Sequence, residues 1–230
     1  MKKLGFLLLA VLTVGLFAGN AMAQNVGDNS VYFVTYFSNA NTYPSESGTK
    51  GAKQTTAAPD AAVRLINDGD SSTAETEGTP NGTLWASFYV FDDSEEMQQC
   101  CNCKITADGL LSESINGQLA NPNNDLTGRG EETRGVIKII SSASWDPTNN
   151  VPTPGIRGWA THVQATTNVI GGATGDNPTG YGPWFVTETA LADANLNQFE
   201  QTALQDSCSF IFTLGSGYGV CTCSPEDHDF

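Results

Sequence analysis

Six cysteines are the residues of this chain whose spacing bears most directly on chemistry. They form two clusters, namely Cys100, Cys101 and Cys103, and then Cys208, Cys221 and Cys223. An even number of cysteines in a chain with an export signal favours disulfides. A bond between the adjacent Cys100 and Cys101 would be strained, because ordinary disulfide geometry separates the two Cα atoms. We therefore expect bridges between the two clusters, and the spacing leaves the individual pairing open.

The alternative for the cysteines is a metal or iron–sulfur site. The pattern Cys-Cys-x-Cys followed by Cys-x-Cys differs from the C-x2-C spacing of zinc ribbons. Oxidation during export also competes with metal binding. We therefore predict no metal ligands and no cofactor.

Three other residues are candidates for contacting a ligand. Tyr181 and Trp184 follow a glycine-rich segment and could present their rings to solvent, as sugar-binding platforms do. Trp145 is one of several further aromatic residues that could belong to such a platform. His162 lies on a strand with alternating polarity, and the pattern places it on the wetter face.

No catalytic constellation is evident. The motifs G-x-S-x-G and H-E-x-x-H are absent from the sequence. Glycoside hydrolysis needs two carboxyl groups across a substrate, but most acidic residues here come in adjacent runs, which are typical of solvated surface. Glu188 and Lys138 are better placed on strands, with nothing in the sequence to link them. We predict a protein without catalytic residues.

The N-terminus has the features of a secretory signal peptide. Lys2 and Lys3 precede an apolar run from residue 4 to residue 17, and an Ala-Met-Ala site follows at residues 21–23. The order of these features predicts cleavage after Ala23 and a mature chain of residues 24–230. We therefore expect a protein secreted through the Sec route, to the periplasm or the outside of the cell, with no membrane span.

The chain is strongly acidic, with 25 acidic residues against 10 basic ones and a formal net charge of −15. This field repels nucleic-acid phosphates, so nucleic acid is excluded as an expected partner. Self-association, or a glycan or protein partner outside the cell, stays open.

Strand signals dominate the mature chain. The runs at residues 31–37, 61–66, 84–91, 136–140, 159–166 and 184–189 are rich in aromatic and β-branched residues. The first of them is apolar on both faces and would suit pairing with a neighbour if it lies at a sheet edge. Residues 39–60 form a loop-rich stretch and residues 224–230 an acidic tail. We interpret residues 92–99 as a turn of helix, and residues 108–130 as a loop.

One helix is predicted late in the chain. Its apolar positions Leu196, Phe199, Ala203, Leu204, Cys208 and Ile211 follow helical spacing. Asn195 is the expected N-cap and Gly215 the expected stop. Strands separated by long turns, with one late helix, predict a single mainly-β domain. The expected fold is a β-sandwich or a jelly-roll-like fold, stapled by disulfides.

Several segments resemble a family of exported bacterial proteins of uncharacterised function. They are residues 84–110 (LWASFYVFDDSEEMQQCCNCKITADGL), 135–140 (GVIKII), 157–166 (RGWATHVQAT) and 190–223 (ALADANLNQFEQTALQDSCSFIFTLGSGYGVCTC). They share its cysteine framework CC-x-C … C … C-x-C. The resemblance implies export and that framework, and it implies no activity. The function expected from the sequence is therefore a non-catalytic structural or surface-binding module. The alternative is a carbohydrate-binding or carbohydrate-hydrolysing protein with an aromatic groove and paired carboxylates.

Overall fold

The computed structural model describes residues 29–38, 60–74, 76, 78–120, 134–164 and 185–224. The strands are β1 (Tyr32–Ser38), β2 (Ala62–Asn67), β3 (Leu84–Asp92), β4 (Met97–Ile105), β5 (Leu110–Ser114), β6 (Arg134–Ser142), β7 (Ile156–Gln164), β8 (Phe185–Ala190) and β9 (Ala192–Asp193). A π-helical turn (Ile115–Leu119) follows β5, and one α-helix, α1 (Gln198–Leu214), comes last.

The strands form two antiparallel sheets. The first sheet has the order β4-β3-β6-β1-β9, and the second has the order β5-β2-β7-β8. One apolar core lies between them, with Phe88 and Ile139 from the first sheet and Leu65 and Leu111 from the second. The predicted mainly-β sandwich with one late helix and disulfides is confirmed.

Helix α1 covers part of the outer face of the first sheet. Leu204, Cys208 and Ile211 of the helix form a second buried cluster with Tyr89 and Ile140 of the sheet. The central strands of the first sheet are therefore buried on both faces. This explains why β3 is a near-continuous apolar run instead of an alternating one.

The predicted strands are all present among the described residues, but β4 and β5 fall where we expected a helical turn and a loop. Residues 93–96 form the turn between β3 and β4, and residues 97–99 already belong to β4. The buried Asp92 carboxylate accepts hydrogen bonds from the backbone N–H groups of Ser94 and Glu96, at 2.8 and 2.9 Å. Acidic residues there terminate a strand instead of capping a helix.

Strand β1 is not an open edge along its whole length. It pairs with β6 on one side, and Phe33 and Val34 also pair with β9 on the other. The prediction that it could lie at an edge and recruit a neighbour is therefore wrong for these two residues, because a later segment returns to occupy that position.

The helix begins two residues later than the capping signal indicated. Asn197 is the N-cap, and its side chain accepts a hydrogen bond from Glu200 N at 2.9 Å, so Asn195 is not the cap. Gly215 ends the helix in the left-handed region, at φ 63°, as predicted. Phe199 and Ala203 were expected on the buried face, but both are exposed.

No helix in the part of the chain that the structure describes is long and apolar enough to cross a membrane.

Candidate functional site

The two cysteine clusters meet through three disulfides. Their pairs are Cys100–Cys208, Cys101–Cys221 and Cys103–Cys223, with Cα–Cα distances of 5.8, 5.2 and 5.5 Å. Bridges between clusters are confirmed, and no cysteine is free. Three disulfides are typical of a protein that lives in an oxidising, extracellular-type environment.

The alternation of side chains along β4 determines on which face of the strand each disulfide lies. Successive side chains of β4 point to opposite faces, so Cys101 and Cys103 point into the core while Cys100 points outward. The outward Cys100 meets Cys208 on α1, and the inward pair meets the segment that follows the helix. The Sγ atoms of Cys101 and Cys103 are 4.0 Å apart. Two bridges therefore lie side by side under the C-terminal segment.

The same sulfur atoms are the one metal-like cluster among the described residues. Those of Cys101, Cys103 and Cys223 lie within 4.8 Å of one another. Each is bonded to another cysteine, so none is a thiolate, which is the form that binds metals.

A groove of about 420 Å³ opens beside the two neighbouring disulfides. Its walls are Trp145 on the loop after β6 and Phe212 on α1, which are 71% and 44% exposed. Its other lining residues are Cys101, Asn102, Asp146, Pro147, Thr148, Val220, Cys221 and Cys223. The volume lies within the range of ligand-binding clefts in proteins.

Hydrogen bonds hold the loop that carries Trp145. The Asp146 carboxylate accepts from Thr148 N at 2.9 Å and from Thr148 Oγ1 at 2.7 Å, which fixes a tight turn. Asn102 Nδ2 donates to Ser144 O at 3.0 Å, immediately before the tryptophan. The Trp145 wall is thus attached to β4 beneath it.

A second set of contacts ties the same loop to α1. Tyr89 OH donates to Pro147 O at 2.8 Å and accepts from Asn150 Nδ2 at 2.6 Å. Asn150 Oδ1 in turn accepts from Gln201 Nε2 and Gln205 Nε2, at 2.9 and 3.2 Å. Burial raises the pKa of Tyr89 above its ordinary value, so its phenol stays a neutral donor. These bonds therefore fix the loop that carries Trp145 relative to the helix that carries Phe212.

Asp146 is the one acidic residue that lines the groove within the described part of the chain. Paired carboxylates, which the hydrolytic alternative requires, are thus not assembled there. Asn102 uses both ends of its amide inside the protein, because Oδ1 accepts from Ser87 Oγ at 3.2 Å. The groove is chiefly an apolar surface.

His162 is buried, so the prediction that it lies on the solvent-facing side of its strand is wrong. It shares the core-facing side of β7 with Ala160, while Thr161 faces Arg64 on the outside of the second sheet. Its ring stacks on Tyr36 at 3.9 Å, and Nε2 bonds with Thr189 Oγ1 at 2.8 Å. Burial lowers the pKa of His162 and favours the neutral ring. Its ligand role stays a prediction, and Tyr181 and Trp184 lie outside the described residues.

Lys138 and Glu188 do not pair with each other, because each forms an ion pair with a different residue. Lys138 Nζ lies 2.6 Å from Glu200 Oε1, which also accepts from Tyr32 OH at 2.8 Å. Glu188 instead pairs with Arg64 at 3.2 Å. The hydrogen bond from Lys138 holds the pKa of Glu200 below its usual value. These contacts attach α1 to the first sheet and join β2 to the edge strand β8, and they form no catalytic pair.

One buried carboxyl lay in a segment expected to be a loop. Glu113 of β5 points inward beside Leu111, and it accepts from Ser224 N at 2.8 Å (Oε1) and 3.1 Å (Oε2). Burial raises its pKa to about 7, against the opposing effect of these hydrogen bonds. Gln118 Nε2 also donates to Ser224 Oγ. These hydrogen bonds hold the chain at Ser224, immediately after the last disulfide.

Sequence reasoning had included Trp145 among the aromatic candidates, but it missed Phe212 and the groove. The available signal was that two phenylalanines of α1, Phe210 and Phe212, lie outside the predicted buried stripe, where a simple amphipathic helix has polar residues. No family model, curated protein or solved structure matches this chain. The resemblance to exported bacterial proteins therefore stays an expectation.

Proposed function

We propose that this protein is exported by the Sec route and acts as a non-catalytic binding module, with the groove between Trp145 and Phe212 as its binding surface. The observation that carries the proposal is the groove itself. Two exposed aromatic residues line it, together with cysteines of the two neighbouring disulfides. Solvent-exposed aromatics beside a concave surface are typical of binding sites.

The ligand class that fits best is an apolar side chain presented by a partner protein outside the cytoplasm. The polar groups of Asn102 are engaged within the protein, and Asp146 Oδ1 is occupied by Thr148. A site for a free polar ligand would need several unoccupied polar groups aimed into it. An aliphatic or aromatic side chain needs chiefly contact area, which Trp145 and Phe212 provide.

Rigidity supports the same function. The wall loop is bonded to β4 through Asn102 and to α1 through Asn150. A site that is already in its bound geometry loses little conformational entropy when the ligand binds. Because little conformational entropy is lost, a partner could bind here through few contacts.

Carbohydrate binding is the second candidate, because an exposed tryptophan is followed directly by a carboxylate. Trp145 could stack on a sugar ring while Asp146 accepts from its hydroxyl groups. Hydrolysis would require a second carboxyl group across the ligand.

The neutral fluorescent probe N-phenyl-1-naphthylamine tests the groove directly. We expect it to bind, and we expect Trp145→Ala and Phe212→Ala each to weaken binding by about tenfold or more, since buried aromatics dominate such contacts. Fluorescence titration measures the change.

Phe199→Ala is the matched control, because Phe199 is exposed on the same helix but does not line the groove. Equal effects of Phe199→Ala and Phe212→Ala would contradict the proposal, as would failure of the probe to bind. A panel of soluble polysaccharides separates the second candidate. Binding that depends on Trp145 would favour it, and shortening of the polysaccharide would show that the protein is an enzyme.

A further inference from the structure

Helix α1 carries an apolar stripe that no described residue covers. Phe199 is 90% exposed, Phe210 62% and Leu214 47%. At 100° per residue these side chains and Ala203 share one side of the helix, about a third of a turn from the buried residues Leu204, Cys208 and Ile211. Large apolar side chains concentrated on one exposed helix face mark an interaction surface.

The stripe is distinct from the groove. Phe212 projects from the other side of the buried face, toward Pro147 and Thr148, whereas the stripe points away from the sheet. The inference below therefore does not depend on what the groove binds.

We propose that the stripe pairs with the same stripe of a second copy of this chain, in an antiparallel helix pair. A two-fold axis between Asp206 and Ser207 would place Phe210 opposite the partner's Ala203, and Phe199 opposite the partner's Leu214. A single symmetry axis therefore brings both pairs of apolar residues into contact. A two-fold interface requires such self-complementarity, with the same patch on both copies.

Size complementarity supports this register. The small Ala203 leaves room for the Phe210 ring, as alternating large and small residues do where helices pack closely. The same axis sets Asp206 opposite Ser207, whose hydroxyl can donate to the carboxylate. Asp206 therefore does not face the Asp206 of the second copy. Asp206 and Ser207 would form the chief polar pair in an otherwise apolar contact.

The contact area indicates a reversible dimer. An aromatic side chain contributes on the order of 200 Å², so the stripe offers on the order of 400 Å² per copy. The total of about 800 Å² is below the roughly 1,200–2,000 Å² of stable specific interfaces and falls in the size range of weak, transient contacts. Helix α1 has no basic residue, and each chain has a net charge of −15, so repulsion opposes association. Salt should strengthen the dimer by screening that repulsion.

Sedimentation equilibrium of the purified, fully oxidised protein tests the proposal. We expect a monomer–dimer equilibrium that tightens as the salt concentration rises from about 0.1 M to about 1 M. Phe210→Glu should raise the dissociation constant by about tenfold or more, because it buries a charge against an apolar partner. Phe212→Glu changes a comparably exposed phenylalanine of the same helix and should leave the dimer intact.

The register has its own test. Ala203→Phe should disrupt the dimer by placing two large rings against each other, and the double variant Ala203→Phe with Phe210→Ala should restore it, because the pair is exchanged across the axis. Circular dichroism checks that each variant is folded. A monomer at every concentration, or an Ala203→Phe defect that the second change does not repair, would overturn the proposal. Loss of dimerisation with unchanged probe binding in the groove would separate this surface from the binding function.

Discussion

Replacing Cys100 and Cys208 together with alanine should lower the free energy of unfolding by about 3 kcal/mol, more than removal of either other disulfide. With the remaining bridges intact, the loop that Cys100–Cys208 closes runs from Cys208 to Cys221 and returns through Cys101. That loop has about 15 residues, and the chain-entropy model assigns it about 3 kcal/mol. Both sulfur atoms are also buried between α1 and the first sheet.

The other two bridges are matched controls. Cys101–Cys221 and Cys103–Cys223 join the same two short segments, residues 101–103 and 221–223, so each closes a ring of only six residues while the other persists. The same model gives such a ring roughly 2 kcal/mol. Removing one of them therefore frees little additional chain, although removing both would release the whole C-terminal segment.

Urea unfolding without reductant measures this order. Midpoints and slopes are compared among the three double-alanine variants, with fluorescence and circular dichroism followed in parallel. A Cys101–Cys221 variant that loses as much stability as the Cys100–Cys208 variant would show that local packing outweighs chain entropy at these bridges.

Raising the pH from about 5 to about 8 should lower the free energy of unfolding by about 2–3 kcal/mol through Glu113 alone. Burial raises the pKa of this carboxyl from 4.5 to about 7 in the folded protein. Between these values the folded state binds the proton and the unfolded state has lost it. The stabilisation is therefore complete below pH 4.5 and is lost as the pH rises through about 7.

Glu113→Gln should remove this part of the pH dependence, because the amide cannot ionise but keeps an oxygen that accepts from Ser224 N. At pH 8 the variant should be more stable than the natural protein. Glu188→Gln is the control, since it removes an exposed carboxylate that pairs with Arg64. Thermal or urea unfolding across this pH range measures both. An unchanged pH profile in Glu113→Gln would mean that the carboxyl is solvated and not buried.

The elements that the sequence predicted well are those whose signal is local. The short apolar runs at β1, β3 and β6 are rich in aromatic and β-branched residues and so favour buried strands, and Gly215 ends α1 in the left-handed conformation that favours glycine. Disulfides between the cysteine clusters followed from the strain of joining neighbours.

Segments with mixed signals were predicted less well. The polar residues before Cys100 resembled a helical turn, and they form a strand because β3 supplies a partner for their backbone hydrogen bonds. His162 was assigned to the wet face, since alternation identifies two faces but does not say which one another layer will cover. In the folded protein the second sheet turns that face of β7 toward the first.

By itself, the sequence determined a mainly-β chain with one late helix and bridges between two cysteine clusters. These features depend on residue spacing within a few turns or on covalent geometry. Only the tertiary structure decided which cysteines pair, because that depends on which face of β4 meets α1. It also decided that Trp145 and Phe212, distant in the chain, flank one groove. Burial of a side chain depends on what packs against it, and that partner is chosen by the whole fold.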